Sequence, residues 1–460
     1  MKIKHCILIS LIIMLLLMIP ASFAAADDSV ILDENNEINY QTELNEINSD
    51  SIDDETLHSI EIDENDDTET NSGSDSNENS LGSIDDEILD ESNYQSQGDI
   101  YTDYSDYINL KSEMLTYDFN ISDSNTIFVN SSYDGDEELG TQSNPFKTIS
   151  SAYNYFINDT NSKSNIFLAD GTYTISGRMT ITKNLNLIGQ SALNTIIDGE
   201  ANGYGNGIFF ITPPLAYIAV SPLVNFVNLT FTRGNSYYGG AVYINQSAVN
   251  FVYTRFKNNS AKDYVHYYAQ KTYPASGGAI YNDKGFVRIY NSLFEGNTAN
   301  GSADAYAGAI INDMGEMTIL NSNFINNSVN GTYGSGGAIY DYSGILVVYN
   351  TTIANNTVNS NYSMGGGICN WASHNVFIIN STIEGNMLNG DYTFGSAISN
   401  KANLLEIHNV TVSSNQANGI SDDNGTFFNL NGNVNMANVN FNCTVTAFCH
   451  IRKILNKTVA

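Results

Sequence analysis

The chain contains 460 residues, with 50 acidic and 18 basic side chains and a formal net charge of −32. So large an acidic excess argues against nucleic acid as a partner, because phosphate binding requires basic surfaces. Of the four cysteines, the three that follow the apolar N-terminal run are too few for a disulfide framework.

The first 26 residues have the pattern of a secretory signal peptide. Lys2 and Lys4 precede an apolar run from Ile7 to Ile19, and small residues follow around Ala24-Ala25-Ala26. The run is short for a membrane span, which needs about 20 residues. We therefore expect cleavage and a secreted or cell-surface protein with no transmembrane segment in the mature chain. An uncleaved anchor is the alternative.

Residues 27–120 contain about thirty acidic side chains and a single Lys or Arg residue, Lys111. Aliphatic residues occur singly there, so we expect no packed core, and repulsion between carboxylates keeps such a segment extended. No acidic spacing matches a calcium-binding loop. The segment is predicted to be a disordered acidic spacer without a specific metal site.

Residues 121–223 are predicted to form an N-terminal cap and the first irregular coils of a repeat structure. Ile127-Phe128-Val129 is typical of a strand, and Asn144-Pro145 favours a helix start because Asn is a good N-cap and Pro suits the first turn. An amphipathic helix here would cover the apolar end that a repeat structure exposes. Its apolar face would consist of Phe146, Ile149, Ala152, Tyr153 and Phe156.

Residues 224–445 contain an internal repeat of 29 or 30 residues, with one longer interval. In the copy that begins at Gly278, apolar residues recur at Val287 and Ile289, then at Phe294 and Ala299. Alternation with period two is typical of strands with one buried face. The start of each copy is marked by Gly240, Gly278, Gly308, Gly337 and Gly366, with Ser396 in the same position.

A copy of about 30 residues cannot bury such a face alone, so the copies must stack in register and share one apolar column. The sequence therefore predicts an all-β fold, a parallel solenoid of about 30-residue coils. Each coil is expected to contain three short strands, and neighbouring coils should lie about 4.8 Å apart.

Asparagine recurs at two positions of each copy, on either side of the Phe294 position. Asn tolerates left-handed backbone geometry, and stacked identical side chains can form hydrogen-bonded ladders. We therefore interpret these residues as structural corners rather than as catalytic groups. One column comprises Asn228, Asn291, Asn321, Asn350, Asn380, Asn409 and Asn438, and the other comprises Asn259, Asn297, Asn327, Asn356, Asn386 and Asn415.

The pairing of Gly277-Gly278-Ala279-Ile280 with Phe294-Glu295-Gly296-Asn297 resembles the repeats of polymorphic outer-membrane proteins and of the right-handed parallel β-helix, pectate-lyase-like superfamily. With its acidic, Asn-rich composition and its signal peptide, the whole chain is similar to the adhesin-like surface proteins of methanogenic archaea. The resemblance covers residues from about 126 to 445. It implies a right-handed β-helix and a role at the cell surface.

The variable segment of each coil carries a tyrosine near a fixed offset. Loops on one edge of a solenoid are common binding surfaces, and tyrosine offers a large rigid contact area with a polar tip. We therefore expect ligand binding there, with cell-surface or extracellular glycans or proteins as partners; shielding of the sheet edge is the alternative. The candidate residues are Tyr237, Tyr273, Tyr306, Tyr333, Tyr362 and Tyr392.

The main functional alternative is a carbohydrate-active enzyme, a polysaccharide lyase or glycoside hydrolase, because many β-helix proteins have such activities. Glycoside hydrolysis needs two carboxylates facing one cleft. We find no catalytic, metal or cofactor constellation, so the sequence favours adhesion; a purely structural cell-wall spacer is a second alternative. The acids of the coils are sparse and scattered: Asp283, Asp304, Asp313, Glu316, Asp341, Glu384 and Glu406.

Asn-x-Ser/Thr sequons identify candidate glycosylation sites at Asn245, Asn330, Asn361 and Asn424. We expect Asn361, in a variable loop, to accept a glycan. The corner residues of the first asparagine column that also lie in sequons should be spared, because their amides are committed to a ladder. These are Asn350, Asn380 and Asn409.

The repeat pattern fades after residue 445, and residues 446–460 are predicted to be a C-terminal tail. Cys443 and Cys449 could pair outside the cell, which would leave Cys369 unpaired in a coil.

Overall fold

The computed structural model describes residues 121–158, 163–200, 207–214, 221–266, 271–420, 425–442 and 451–454. These residues form a right-handed parallel β-helix with four parallel sheets, so the predicted fold class is confirmed. The predicted signal peptide and acidic spacer, residues 1–120, lie outside the described residues. So do Asn424, Cys443 and Cys449.

Sheet 1 contains eleven strands and carries the paired apolar positions of the repeat, such as Val287 and Ile289. Its strands are Thr126–Val129, Asn165–Leu168, Leu185–Gly189, Leu223–Val227, Ala248–Val252, Phe286–Tyr290, Glu316–Leu320, Ile345–Tyr349, Asn375–Ile379, Leu404–His408 and Asn433–Ala437.

Sheet 2 follows sheet 1 in each coil and carries the Phe294 position at the centre of three-residue strands. Its strands are Gly171–Thr174, Thr195–Asp198, Thr230–Thr232, Arg255–Lys257, Leu293–Glu295, Asn323–Ile325, Thr352–Ala354, Thr382–Glu384, Thr411–Ser413 and Asn440–Asn442.

Sheet 3 begins just after the anchor glycine of each regular coil. Its strands are Met179–Ile181, Phe209–Ile211, Val242–Asn245, Ile280–Asp283, Ile310–Asp313, Ile339–Tyr342, Ile368–Trp371, Ile398–Lys401, Phe427–Leu430 and Ile451–Ile454. The last of these strands pairs with Phe427–Leu430, so the predicted C-terminal tail contains part of a further coil.

Sheet 4 lies between sheets 2 and 3 in each regular coil. Its strands are Asn235–Ser236, Ser260–Lys262, Ala275–Ser276, Thr298–Asn300, Asp304–Tyr306, Ser328–Ser335, Thr357–Met364, Met387–Asn389, Tyr392–Phe394 and Gln416–Asn418. In the longest interval of the repeat, Tyr264–His266 and Lys271–Tyr273 form an antiparallel hairpin.

The coils stack in register, as the repeat predicts. Ile280 pairs with Ile310, and Ile310 pairs with Ile339, so one residue of each coil lies directly over its counterpart in the next. All three are fully buried in a continuous apolar core. Phe294 stacks on Phe324 with ring centroids 4.6 Å apart and planes 1° apart. Burial of each such side chain contributes roughly 1.5 to 3 kcal/mol.

The prediction of three strands per coil is wrong for the regular coils, which have four. The apolar position at Ala299 does not enter the main core, because its strand lies beyond the second asparagine corner, in sheet 4. There it forms a second, smaller apolar cluster with other residues of sheet 4. The cluster contains Ala261, Ala275, Ala299, Ala305, Val329, Val358 and Leu388.

The second asparagine column forms the expected ladder. The amide of Asn297 donates to Oδ1 of Asn327 at 2.9 Å, and Asn327 donates to Asn356 at the same distance. In the first column the backbone is left-handed, with φ of 49° at Asn291 and 50° at Asn321. Tyr253, which has a φ of 54°, takes the position where one coil lacks an asparagine. Both columns therefore act as corners.

A third ladder follows the end of sheet 3 and includes one carboxylic acid. Asn282 donates to Oδ1 of Asn312 at 2.7 Å, and Asn312 donates to Oδ1 of Asp341 at 2.6 Å. Further along, Asn370 donates to Oδ1 of Asn400 at 3.3 Å. Asp341 thus occupies a position that an asparagine fills in the neighbouring coils.

The two glycines at the start of a coil have different tasks. Gly277 has a φ of 67°, which favours glycine because a Cβ is strained there. A Cβ on Gly278 would lie 2.1 Å from the carbonyl oxygen of Gly308 in the next coil. The pair is therefore required by a turn and by close backbone contact between coils.

Helix α1, Ile149–Asn158, packs on the first coil with the predicted face, and Ile149, Ala152, Tyr153 and Phe156 are buried. Its predicted start at Asn144-Pro145 is wrong. Thr148 is the N-cap, since its hydroxyl accepts from the amide of Ser151 at 3.1 Å. The earlier residues remain extended because Phe146 hydrogen-bonds to the backbone of the first strand, at Phe128 and Asn130.

Candidate functional site

Three of the six candidate tyrosines form one row on the edge of sheet 4. Tyr333 pairs in register with Tyr362, and Tyr362 with Tyr392. The ring centroids lie 4.9 Å and 4.7 Å apart, with planes 14° and 10° apart. All three side chains are half-buried. Their ring faces lie against one another, so the ring edges and hydroxyl groups form the outer surface of the row.

A row of asparagine amides accompanies this tyrosine row, three residues earlier in each coil. Asn359 donates to Oδ1 of Asn330 at 2.9 Å, and Asn389 donates to Oδ1 of Asn359 at 2.8 Å. Asn359 is exposed, and the other two are half-buried. This row of amides was not predicted from the sequence. Its signal was an asparagine at a constant distance before each of the three tyrosines.

The hydroxyl group of Tyr362, at the centre of the tyrosine row, remains protonated at neutral pH. Partial burial raises the pKa of Tyr362, and the neighbouring hydroxyls of Tyr392 and Tyr333 raise it further. The row can therefore donate and accept hydrogen bonds at intervals of about 4.8 Å, the spacing of adjacent strands. The row is therefore a repeating polar surface along sheet 4.

Tyr237 and Tyr273 belong to a second aromatic group rather than to the tyrosine row. Both rings lie near Tyr264 of the hairpin, with centroids 5.6 Å and 6.2 Å from it. Both candidate side chains are half-buried. The longest variable segment folds back as a hairpin, which is why its tyrosine does not continue the row.

Tyr306 does not lie on this edge. It is 5 % exposed and stacks on Tyr340 of sheet 3, with centroids 5.4 Å apart. Tyr306 comes two residues before its anchor glycine, whereas each tyrosine of the row comes four residues before the corresponding anchor. It therefore pairs in register with Ser335 rather than with Tyr333. The expectation that Tyr306 contributes to an exposed binding edge is wrong, because its ring is buried.

The candidate glycosylation sites differ in what their amides already bind. Asn361 is exposed on the strand that carries Tyr362. Asn330 donates to Oδ1 of Asn300 at 2.8 Å as part of the amide row. Asn245 donates to the Thr212 hydroxyl at 3.2 Å. Among the corner residues, Asn350 donates to Asn321 at 2.7 Å and Asn409 to Asn380 at 3.1 Å.

Two of the acids that are scattered in the sequence are brought together at the end of sheet 3. Asp283 pairs in register with Asp313. The hydroxyl of Tyr243 donates to Asp283 at 3.3 Å, and that of Tyr281 donates to Asp313 at 2.5 Å. Lys284 lies 3.6 Å from the Asp283 carboxylate.

Burial is the main influence on the charge of this acid pair. It raises the pKa of both groups, and that of Asp313 to about 6, although the Tyr281 hydroxyl acts in the opposite direction. One strand spacing of about 4.8 Å is close to the carboxyl separation of retaining glycosidases. However, Asp283 is 6 % exposed and Asp313 9 %. The pair presents little surface to a polymeric substrate.

The described residues contain no group of three or more His, Cys, Asp or Glu side chains that could hold a metal ion. Cys369 is a free, fully buried thiol on sheet 3, and burial raises its pKa far above the ordinary value. A thiolate is the reactive form of cysteine, so this residue is not a reactive nucleophile. Within the part of the chain that the structure covers, no helix has the length and apolar character needed to cross a bilayer.

Comparison with known proteins gives little further information. No protein-family model matches the chain, and no curated protein matches it. Among solved structures, ORF18 of Geobacillus virus E2 aligns with a TM-score of 0.36 and 14 % sequence identity. The alignment covers 75 % of this chain and 66 % of that one, so it spans slightly less than two thirds of the viral protein.

Proposed function

We propose that the protein is a secreted or cell-surface, adhesin-like β-helix that binds glycans or proteins through the tyrosine row. The observation that carries this proposal is the in-register, half-buried stack of Tyr333, Tyr362 and Tyr392. A stack that only shielded the sheet edge would gain nothing from outward hydroxyl groups.

The chemistry of the row favours an extended ligand with repeating polar groups. Phenol hydroxyls and asparagine amides alternate along the same strands, so both donors and acceptors recur at each coil. Ring faces are already occupied by neighbouring rings, which makes face-on stacking of a sugar unfavourable inside the row. Hydrogen bonds to hydroxyl or carbonyl groups of a chain lying along the solenoid axis fit the geometry better.

Two features of the sequence support a location outside the cell. The N-terminal pattern predicts a signal peptide, and the adhesin-like resemblance implies display at a surface. The acidic segment between the predicted signal peptide and the solenoid would hold the solenoid away from its point of attachment. Localisation can be tested by fractionating cells that express the full chain and probing intact cells with an antibody.

The binding proposal can be tested with glycan arrays and extracellular proteins as probes. Replacing Tyr333, Tyr362 and Tyr392 together with Phe keeps the rings but removes three hydroxyls. Each lost hydrogen bond costs about 0.5 to 1.5 kcal/mol, so affinity should fall roughly tenfold to a thousandfold. Tyr253→Phe, at an exposed corner away from the row, is the control and should bind normally. Unchanged binding by the triple variant would contradict the proposal.

The enzyme alternative rests on the adjacent carboxyl groups of Asp283 and Asp313. Release of reducing or unsaturated sugars from acidic polysaccharides, abolished in Asp283→Asn and Asp313→Asn variants, would favour it over adhesion. A protein with neither binding nor release would favour the third alternative, a structural cell-wall spacer.

A further inference from the structure

Sheet 1 carries a second apolar column on its outer face, directed away from the main core. Each member ends a strand of sheet 1 and pairs in register with the next, as Tyr290 does with Leu320. We call this column the outer stripe. Its central residues are Val227, Val252, Tyr290, Leu320, Tyr349 and Ile379.

The outer stripe is buried far more deeply than stacking alone explains. Leu320 is 1 % exposed, and Tyr290 and Ile379 are each 5 % exposed. Leu293 and Ile325 lie on the outer face of sheet 2, in strands stacked at the same spacing, and remain partly exposed. Neighbouring coils therefore shield an outward aliphatic side chain only in part. The outer stripe must have a cover that sheet 2 lacks.

The cover leaves only the starts of the strands open, since outward residues at mid-strand such as Val347 and Phe377 are 2 % and 5 % exposed. Phe286, which begins a strand of sheet 1 on the same outer face, is 56 % exposed, and Leu223 in the corresponding position of another coil is 41 % exposed. Tyr290, at the end of the strand that starts with Phe286, is buried. The boundary between exposed and buried residues thus runs along the solenoid axis, as expected for a single segment of chain lying lengthwise on the sheet.

We propose that residues 100–119 of this chain cover the outer stripe. The described chain begins at Ile121, whose side chain packs against the cluster formed by the stripe. The preceding segment therefore enters at this face. Half of residues 100–119 are Ile, Leu, Met, Phe or Tyr, against about a fifth of residues 27–99. On this proposal the acidic spacer would end near residue 99.

The length of this segment fits the distance to be covered. From Phe167 to Ile379 the stripe crosses seven strand spacings, or about 34 Å at 4.8 Å each. Twenty residues span up to about 68 Å when extended and about 30 Å as a helix. The segment can therefore cover most of the stripe while starting from Ile121. This inference does not depend on the proposed adhesive function.

Hydroxyl-radical footprinting measures side-chain exposure and tests the proposal directly. The full chain should be compared with a variant lacking residues 100–119 and with a control lacking residues 60–79, an acidic stretch of equal length. Deletion of 100–119 should raise labelling of Tyr290 about tenfold, from its 5 % exposure toward the 56 % of Phe286. Phe226, in the main core, should stay protected in all three proteins.

A second variant keeps the test decisive if the deletion impairs folding. Tyr107→Ser, Ile108→Ser and Leu110→Ser together weaken the apolar character of the segment within an otherwise complete chain. We expect the same increase at Tyr290, reversed by adding a synthetic peptide of residues 100–119. Unchanged labelling of Tyr290 in both variants would overturn the proposal. The proposal would also be overturned if Tyr290 of the full chain lost its protection on dilution and sedimentation showed a dimer. The cover would then be a second copy of the chain.

Discussion

Replacement of Asp341 by Asn should remove a pH dependence from the stability of the β-helix. In the third ladder the asparagine of one coil donates through Nδ2 to Oδ1 of its counterpart in the following coil, as Asn282 does to Asn312 and Asn400 does to Asn429. Asp341 accepts from Asn312, but its other oxygen, Oδ2, takes the position of a donor. Oδ2 of Asp341 and Oδ1 of Asn370, which pair in register, have no hydrogen-bond partner among the described residues. We infer that a proton on Oδ2 of Asp341 would be donated to Oδ1 of Asn370.

The magnitude follows from the pKa of this carboxyl group. Burial raises it to about 7, helped by the charge of Asp313, while hydrogen bonds from Ser373 and Asn312 act against the increase. With an unfolded-state pKa of about 3.9, the folded protein binds more protons between about pH 4 and 7. Stability therefore falls as the pH rises through this window. The full contribution, present below about pH 4, amounts to about 4 kcal/mol.

Asp341→Asn supplies an amide donor at every pH. Guanidinium unfolding followed by circular dichroism should show similar stability of the two proteins near about pH 4, and an advantage of up to about 4 kcal/mol for the variant near about pH 8. Asp283 and Asp313, whose raised pKa values act in the same direction, are present in both proteins, so the comparison isolates Asp341 together with its coupling to Asp313.

Asn400→Asp is the matched control for this prediction. Asn400 donates to Oδ1 of Asn429 at 2.7 Å in the same ladder, so a carboxyl group there should introduce the same pH dependence. This variant should lose stability at alkaline pH and keep it at acidic pH. The reasoning would be refuted if Asp341→Asn and the original protein showed the same change of unfolding midpoint with pH.

Further predictions concern the coil contacts and the sequons. Gly278→Ala should severely destabilise the protein or prevent folding, because its Cβ would lie 2.1 Å from the carbonyl oxygen of Gly308 in the next coil. Gly177→Ala is the control and should be neutral, because there is open space around that position. Thermal melts of both variants check this. Phe294→Ala should cost about 3 to 5 kcal/mol in chemical unfolding, and a loss below about 1 kcal/mol would contradict the stacked core. Glycopeptide mapping should find Asn361 modified and Asn330 largely bare; full occupancy at Asn330 would contradict its place in the amide row.

The sequence predicted the fold well because each coil repeats the same physical environment. A column such as Ile280, Ile310 and Ile339 must be buried in every copy, so its period is visible without any structure. The asparagine corners were predictable for the same reason, since a left-handed backbone restricts which residues fit. The glycine pair marked the coil start because the close contact between coils recurs in each copy.

The side to which a column points was not predictable from its period. The column of Ala299 repeats as regularly as that of Phe294, yet it enters a separate cluster because the chain turns between them. Tyr306 was assigned to the exposed edge by approximate position, and a shift of two residues relative to the anchor glycine buries its ring against Tyr340. The outer stripe was overlooked since alternation implied a single buried face, while sheet 1 is buried on both sides near its strand ends.

In-register pairing has a consequence for how this protein can change over evolutionary time. Neighbouring regular coils are joined by the same in-register strand pairing, so duplication or loss of one whole repeat by recombination would preserve that pairing on both sides. The long interval between Gly240 and Gly278, which accommodates a hairpin, shows where extra residues enter without disturbing this order. The length of the solenoid can therefore vary in steps of one coil. New sequence can accumulate in the variable segments along one side of it.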